Sequence, residues 1–260
     1  MIQNIRRLTL TGAHNVRDLG GYAAGESGRT VYGRLLRADS LHDLTDRDVR
    51  LLLDYGVRTI VDLREPGEAA QSPGRLDASL GVRVHQVPLL AALAPALGGA
   101  LPTDLGDTYV LCARHCHAAL RRVFELLAAA VEGAALFHCM VGKDRTGVVA
   151  ALLLGLVEAP REAILADYAA SGPFLQPLVD RLVADYRRDP TTGVHPDFLV
   201  CDPANMARLL DTLREEHGGA EAYLRGIGVP ARSLDRLKAN LLGASPAPEP
   251  AHELAETRRS

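Results

Sequence analysis

Apolar residues along this chain follow two periods. Short apolar runs bounded by turn residues read as buried strands, at Leu8 to Leu10, Thr30 to Leu36, Val57 to Leu63, Val82 to Val87 and Ala134 to Phe137. Between them the spacing turns helical. Thr45-Asp46 caps a helix running to about Tyr55, with Val49, Leu52 and Leu53 on one face, and Gly56 ends it. Asp104 to Val131 reads as mostly helical, with Leu120, Val123, Phe124 and Leu127 in register. Val148 to Val157 is apolar all round apart from one glycine, the mark of a buried helix. Beyond Ser171 the pattern is helical only. Phe174, Leu175, Leu178, Val179, Leu182, Val183 and Tyr186 make a broad apolar stripe, and Pro173 and Pro177 confine its start to a first turn or a kink. Shorter helices follow at Pro203 to Leu213, Ala220 to Leu224 and Ser233 to Leu242.

Strands alternating with helices predict an α/β fold with a central, largely parallel sheet and a helical C-terminal addition. Residues 1–243 are read as a single domain. From Ala244 on, Pro, Ala and Glu alternate without a pattern, so residues 244–260 are read as a disordered tail.

Composition narrows the class without naming it. Of 260 residues 47% are hydrophobic and 23% charged, as in ordinary globular chains. A net charge of −3 gives no electrostatic case for nucleic acid. No apolar run is long enough to span a membrane, and Met1 to Arg7 has no secretory h-region. Cys112, Cys116, Cys139 and Cys201 form no disulfide-dense framework, so a reducing cytoplasm is the expected compartment. Export without a cleaved signal and the oligomeric state are both left open.

The chemistry concentrates in His138-Cys139-Met140-Val141-Gly142-Lys143-Asp144-Arg145-Thr146-Gly147. A strand, a tight loop and a buried helix in that order aim several unpaired backbone N–H groups at one point, where the helix dipole is positive. Such a cradle binds an anion, and a cysteine at its mouth favours the thiolate. Arg145 adds a planar fork suited to phosphate. A Walker loop does not fit, because Gly142-Lys143 is followed by Asp144 and not by Ser or Thr. Cys139 would attack phosphorus in line, while Arg145 and the amides of Met140, Val141, Gly142, Lys143 and Asp144 hold the equatorial oxygens. Nothing in this scheme calls for a metal or a cofactor.

The loop resembles the His-Cys-x5-Arg-Thr-Gly signature of the cysteine-dependent tyrosine phosphatase superfamily. Its Gly142-to-Gly147 form is similar to the bacterial PtpB-like, or atypical, branch. Asn15-Val16-Arg17-Asp18-Leu19-Gly20-Gly21-Tyr22, Gly33 to Leu41, Val61-Asp62-Leu63-Arg64 and Asp167-Tyr168 fit the same branch, from about residue 9 to residue 240. Val141 departs from it, standing where the branch usually has alanine. The resemblance implies a phosphatase fold and hydrolysis of phosphate monoesters, most of all phosphotyrosine in proteins. Phosphoserine, phosphothreonine and phosphoinositides stay among the substrates. It implies that Thr146 donates to the thiolate (the alternative is a helix N-cap), and that His138 orders the loop. It also implies that Asp144 is the general acid, and that a helical segment at about 173–190 forms a lid.

Alternatives remain. Asp62 rivals Asp144 as general acid, against a structural ion pair with Arg64. Lys143 either neutralises a phosphate or is simply solvated. His115-Cys116-His117 imitates a metal cluster, but neighbours on a helix point to different faces. The apolar stripe after Ser171 either packs on the core or forms the lid. A silent phospho-binding module would normally lack Cys139 or Arg145, and a rhodanese loop would lack His138 and the Arg-Thr-Gly.

Overall fold

The computed structural model describes residues 6–98, 104–188 and 199–243. Its main sheet has five strands in the order β1 (Arg17–Asp18), β4 (Leu35–Ala38), β7 (Ala134–His138), β5 (Val57–Asp62), β6 (Arg83–Gln86). A short hairpin of β2 (Ala23–Ala24) and β3 (Gly28–Arg29) stands apart. β1 pairs antiparallel with β4, and every other pairing in the main sheet is parallel. The fold is therefore α/β with a mixed, mostly parallel sheet flanked by helices.

Both faces of the sheet are covered, which explains why the central strands read as continuous apolar runs. Successive residues point to opposite faces. Val61, Ala135 and Phe137 join one apolar cluster with the helices, while Val57, Ile60, Ala134 and Leu136 join another with Leu10, Val49 and Leu52. That second cluster is sealed by α1 (Asp46–Asp54), whose Thr45 cap and Asp48 form a reciprocal capping box. Then come α2 (Pro66–Gln71), α3 (Leu93–Ala96), α4 (Leu105–His115) and α5 (His117–Ala129). After β7 follow α6 (Asp144–Leu156), α7 (Arg161–Ala169), α8 (Ser171–Arg188), α9 (Pro203–His217), α10 (Ala220–Gly226) and α11 (Ala231–Leu242). The central α6 is buried on nearly every side, as its uniform hydrophobicity requires.

Several boundaries differ from the sequence pattern. Leu8 to Leu10 form no strand; Leu8 N–H donates to the Val16 carbonyl, beside a single bridge between Arg7 and Arg17. Thr30 to Leu36 is divided, because Val31 N–H donates to the Leu241 carbonyl instead of joining the sheet. The long helix expected from Asp104 breaks at Cys116 into α4 and α5. Cys116 is buried there, while His115 and His117 are exposed. α8 runs on through Pro177, and only Leu175 of its apolar stripe is buried. Phe174, Leu178, Val179, Val183 and Tyr186 remain half-exposed, and the side chain of Leu182 lies outside the described residues. The tail expected at 244–260 also lies outside them. No described helix is long and apolar enough to cross a membrane.

Candidate active site

Strand register brings the site together. Ala38 of β4 and Asp62 of β5 both lie opposite His138 of β7. The next residues of each strand, Asp39-Ser40, Leu63-Arg64 and Cys139, therefore leave the sheet side by side at its carboxyl edge, where parallel sheets present their ligand sites.

The loop after Cys139 turns on Gly142. Its φ is +68°, and a Cβ there would lie 2.5 Å from the Ala38 carbonyl oxygen. Only glycine tolerates both the conformation and the approach. The turn brings Gly142 N–H to within 3.2 Å of Cys139 Sγ, to which it donates. The loop carbonyls are tied elsewhere. Asn15 Nδ2 donates to the Val141 and Gly142 oxygens at 3.1 and 3.0 Å, and Arg37 donates to the Gly142 oxygen at 2.6 Å. Because C=O and N–H of a trans peptide point in opposite directions, anchoring the Val141 carbonyl outward leaves the Gly142 amide facing the thiol.

These anchors rest on a buried charge network. Arg17 NH1 donates to Asn15 Oδ1 at 2.5 Å, and its Nε donates to Asp167 Oδ1 at 2.8 Å. Arg37 pairs with the other oxygen of Asp167, and Tyr22 OH donates to Asp167 Oδ1 at 2.8 Å. Burial opposes the Asp167 charge, but the two guanidiniums overcome it and hold the carboxyl well below the usual range. Asp39 orients the Asn15 turn by accepting from the backbone N–H of His14 and Asn15 at 2.8 and 3.0 Å.

Arg145 lies in the first turn of α6. Its two terminal nitrogens donate to Glu68 of α2, at 2.5 and 2.7 Å. Burial works against the Arg145 charge, and the carboxylate fork more than restores it. The remaining donors of the guanidinium stay available beside the loop. Glu68 was not flagged by the sequence; it follows Arg64-Glu65-Pro66-Gly67 with no motif of its own.

Asp144 accepts from Tyr109 OH, which lies 2.8 Å from Tyr168 OH. Its Oδ1 is 3.3 Å from Lys143 Nζ, and the side chain keeps 31% exposure. Asp62 is differently placed. Both its oxygens are engaged by Arg64, at 2.7 Å for the closest contact, and its carboxyl is 7% exposed. Burial raises its pKa, but the Arg64 hydrogen bonds bring it below the ordinary value. The ion-pair alternative describes this geometry. Lys143 is fully buried, and its ammonium donates to the Val200 carbonyl at 2.9 Å, so it is not a solvated side chain.

Thr146 sits within α6 and not at its cap, which is Lys143. The Thr146 hydroxyl is buried and has no hydrogen-bond partner among the described residues. His138 donates from Nδ1 to its neighbour's carbonyl, the Cys139 oxygen, at 3.2 Å. Burial pushes its pKa down to about 4, and nearby Asp62 only partly offsets this. His138 is thus a neutral brace at neutral pH. No cluster of His, Cys, Asp or Glu able to hold a metal occurs among the described residues.

The assembled parts can bind a tetrahedral dianion on inward amides and a guanidinium, with a sulfur at its centre and an acid at its rim. Comparison with known proteins agrees with that chemistry. Residues 8–243 match the family described as the tyrosine phosphatase family. A tyrosine-protein phosphatase of Nostoc commune is 34% identical over 79% of this chain and 73% of its own length. The triple specificity protein phosphatase PtpB of Mycobacterium tuberculosis is 27% identical over 90% of this chain and 98% of its own length. The crystal structure of TpbA from P. aeruginosa aligns at 23% identity over 73% of this chain and 96% of that one, with a TM-score of 0.36, too loose an overlap to argue from.

Proposed function

This chain belongs to the tyrosine phosphatase family and is a protein-tyrosine phosphatase, and we propose that it works through a phosphocysteine intermediate. The Cys139 thiolate attacks phosphorus opposite the ester oxygen. The P–O bond breaks, the leaving oxygen takes a proton from Asp144, and phosphate is left on sulfur. Water then attacks the phosphocysteine, gives its proton back to Asp144, and releases phosphate and the thiolate. The amides of residues 140–145 and the Arg145 guanidinium hold the equatorial oxygens throughout.

The observation that carries this reading is the polarity of the loop. Its carbonyls are tied to Asn15 and Arg37, and one of its amides already donates to Cys139 Sγ. Asp144 is preferred to Asp62 as the acid because it is part-exposed, whereas Asp62 is enclosed by Arg64. The unpartnered Thr146 hydroxyl fits a donor to the thiolate as it departs. The half-exposed apolar stripe of α8 suits the lid expected at about 173–190 better than a core helix; residues 189 and 190 lie outside the described residues.

Phosphotyrosine in proteins is the proposed main substrate. Phosphoserine, phosphothreonine and phosphoinositides form a wider set; the triple specificity in the mycobacterial relative's name supports a range broader than one substrate class. The test is a phosphopeptide and phosphoinositide panel assayed in EDTA with the native chain and Cys139→Ser. The variant should keep phosphate affinity and lose turnover. Retention of more than a few per cent of the native rate would overturn the covalent scheme.

A further inference from the structure

A second cavity lies on the far side of the loop's supporting network. It encloses about 330 Å³ between the N-terminal segment, the β2–β3 hairpin and the start of α8. Neither Cys139 nor Arg145 borders it. Arg17 does, and its guanidinium donates to Asn15 Oδ1, so the cavity adjoins the residues that anchor the loop carbonyls.

Its charge is lopsided. Arg6, Arg7, Arg17 and Arg29 line it, against the single carboxylate of Asp167. That carboxylate is already shared between Arg17 and Arg37. Arg6 and Arg29 donate only to the Gly21 carbonyl, at 3.1 and 3.2 Å, and Arg7 only to the His14 carbonyl at 3.4 Å. None of these three has a carboxylate within ion-pair distance among the described residues, although Arg6 feels the charge of Asp18. The Nε groups of Arg6 and Arg7 are also shielded from solvent, with no acceptor in reach among the described residues. Shielded donors and like charges that nearby carboxylates only partly compensate are both unfavourable, and an anion in their midst relieves both.

The cations are held in shape. The Arg6 guanidinium stacks on Tyr22 at 3.7 Å from the ring centroid, and Arg7 stacks on Phe174 at 4.2 Å. Stacking fixes the plane of each fork, which favours an oxyanion over a point charge such as chloride. The remaining wall is apolar and smooth, formed by Ala163, Ala166, Ala170 and Pro173. The space is larger than a bare phosphate needs.

We propose that this cavity is a second binding site, separate from the catalytic loop, for a small soluble phosphate monoester carrying a short apolar group. The phosphate meets Arg6, Arg7 and Arg29, and the apolar group lies along the alanine wall. This inference does not depend on the covalent mechanism.

The probe is hexylphosphonate, which cannot be hydrolysed, titrated calorimetrically into the full chain. The native protein should bind two molecules, one at the catalytic loop and one in the cavity. The double variant Arg7→Ala/Arg29→Ala should bind one, with an unchanged competitive inhibition constant, which also reports that the fold is intact. Ala166→Phe narrows the cavity from an exposed helix position and keeps every charge; it should weaken the second site by about tenfold or more. Hexanol, which lacks the anion, should not bind. A single site in the native chain, or two unchanged sites in both variants, would overturn the proposal.

Discussion

Asn15 and Cys139 grip opposite ends of one peptide unit. The Val141 carbonyl accepts from Asn15 Nδ2 at 3.1 Å, and the Gly142 N–H across the same bond donates to Cys139 Sγ at 3.2 Å. The planarity of the peptide makes the two contacts one constraint. Asn15→Ala leaves the Val141 oxygen without this donor, and the Gly142 oxygen with Arg37 alone. The expected outcome is a loss of roughly 1–3 kcal/mol in stability and a fall in kcat on the order of 100-fold from a misplaced amide. Urea unfolding and steady-state rates on one aryl phosphate check both. A variant with the native kcat would remove Asn15 from the orientation of the loop.

Glu68 sets the direction of Arg145 through two charge-assisted bonds. Each such bond contributes about 1.5–3 kcal/mol when well formed. Glu68→Ala releases the guanidinium to rotate, and kcat/KM should drop by about tenfold to 100-fold. The contrary outcome is informative. If KM falls while kcat holds, Glu68 competes with phosphate for Arg145 instead of positioning it.

Stability should fall in two separate acid windows. His138 has a folded pKa pushed down to about 4 by burial, below its unfolded value of about 6.5. The unfolded chain therefore binds more protons between these values. Stability from this group is complete above pH ~6.5 and declines toward pH ~4, by roughly 3 kcal/mol in the limit. Asp167 is depressed below the ordinary carboxylate value, so its contribution is present above pH ~4 and is lost only below that. His138→Asn should flatten the first window and spare the second. Denaturant midpoints at pH 7.5, 5.5 and 4.5 decide the matter, and an unchanged slope in the variant would clear His138 of the effect.

Asp167→Asn tests the network from its centre. It leaves Arg17 and Arg37 buried without their anion, and breaking a buried pair in this way costs about 3–5 kcal/mol. The variant should unfold at much lower urea, and at neutral pH as well as in acid. A loss under about 1 kcal/mol would mean that water reaches and solvates the two guanidiniums.

Strands β5, β6 and β7 and the signature loop were legible because their signals are local, whereas β1 was not read and β4 only in part. Ala134 to Phe137 is a short apolar run, and the loop is ten consecutive residues. The segments around Asn15, Arg37 and Asp167 stood out by resemblance, yet their roles did not; only the Asp62–Arg64 ion pair was among the readings of the sequence. Asp167 meets Arg17 across 150 positions and Arg37 across 130, and no local periodicity encodes such a meeting. Glu68 and Tyr109 carried no signal at all. Glu68 lies in the six-residue α2, which the apolar spacing does not signal, and Tyr109 falls in the helical span from Asp104 without a mark of its own. The break at Cys116 also escaped, since the helical spacing continues on both sides. The missing strand at Leu8 to Leu10 shows the reverse error: three apolar-flanked residues suffice for the pattern, but the one isolated bridge beside them belongs to Arg7.

The choice between Asp144 and Asp62 as general acid can be made by leaving-group chemistry. Asp144 is part-exposed at the start of α6, where Tyr109 and Lys143 face the same oxygen, Oδ1. That contact leaves Oδ2 to carry a proton toward the leaving oxygen. Asp62 has both oxygens on Arg64 and would have to break that pair to donate. A phenolate departs readily without a proton, whereas an alkoxide needs nearly a full one. Asp144→Asn should therefore slow alkyl phosphates far more than aryl phosphates, and steepen the dependence of kcat on leaving-group pKa. Asp62→Asn should keep the native dependence and unfold more easily, because Arg64 loses its buried counter-charge. Rates for both variants across a series of aryl and alkyl esters separate the two. A steep dependence in the Asp62 variant beside a native one in the Asp144 variant would move the proton donor to Asp62.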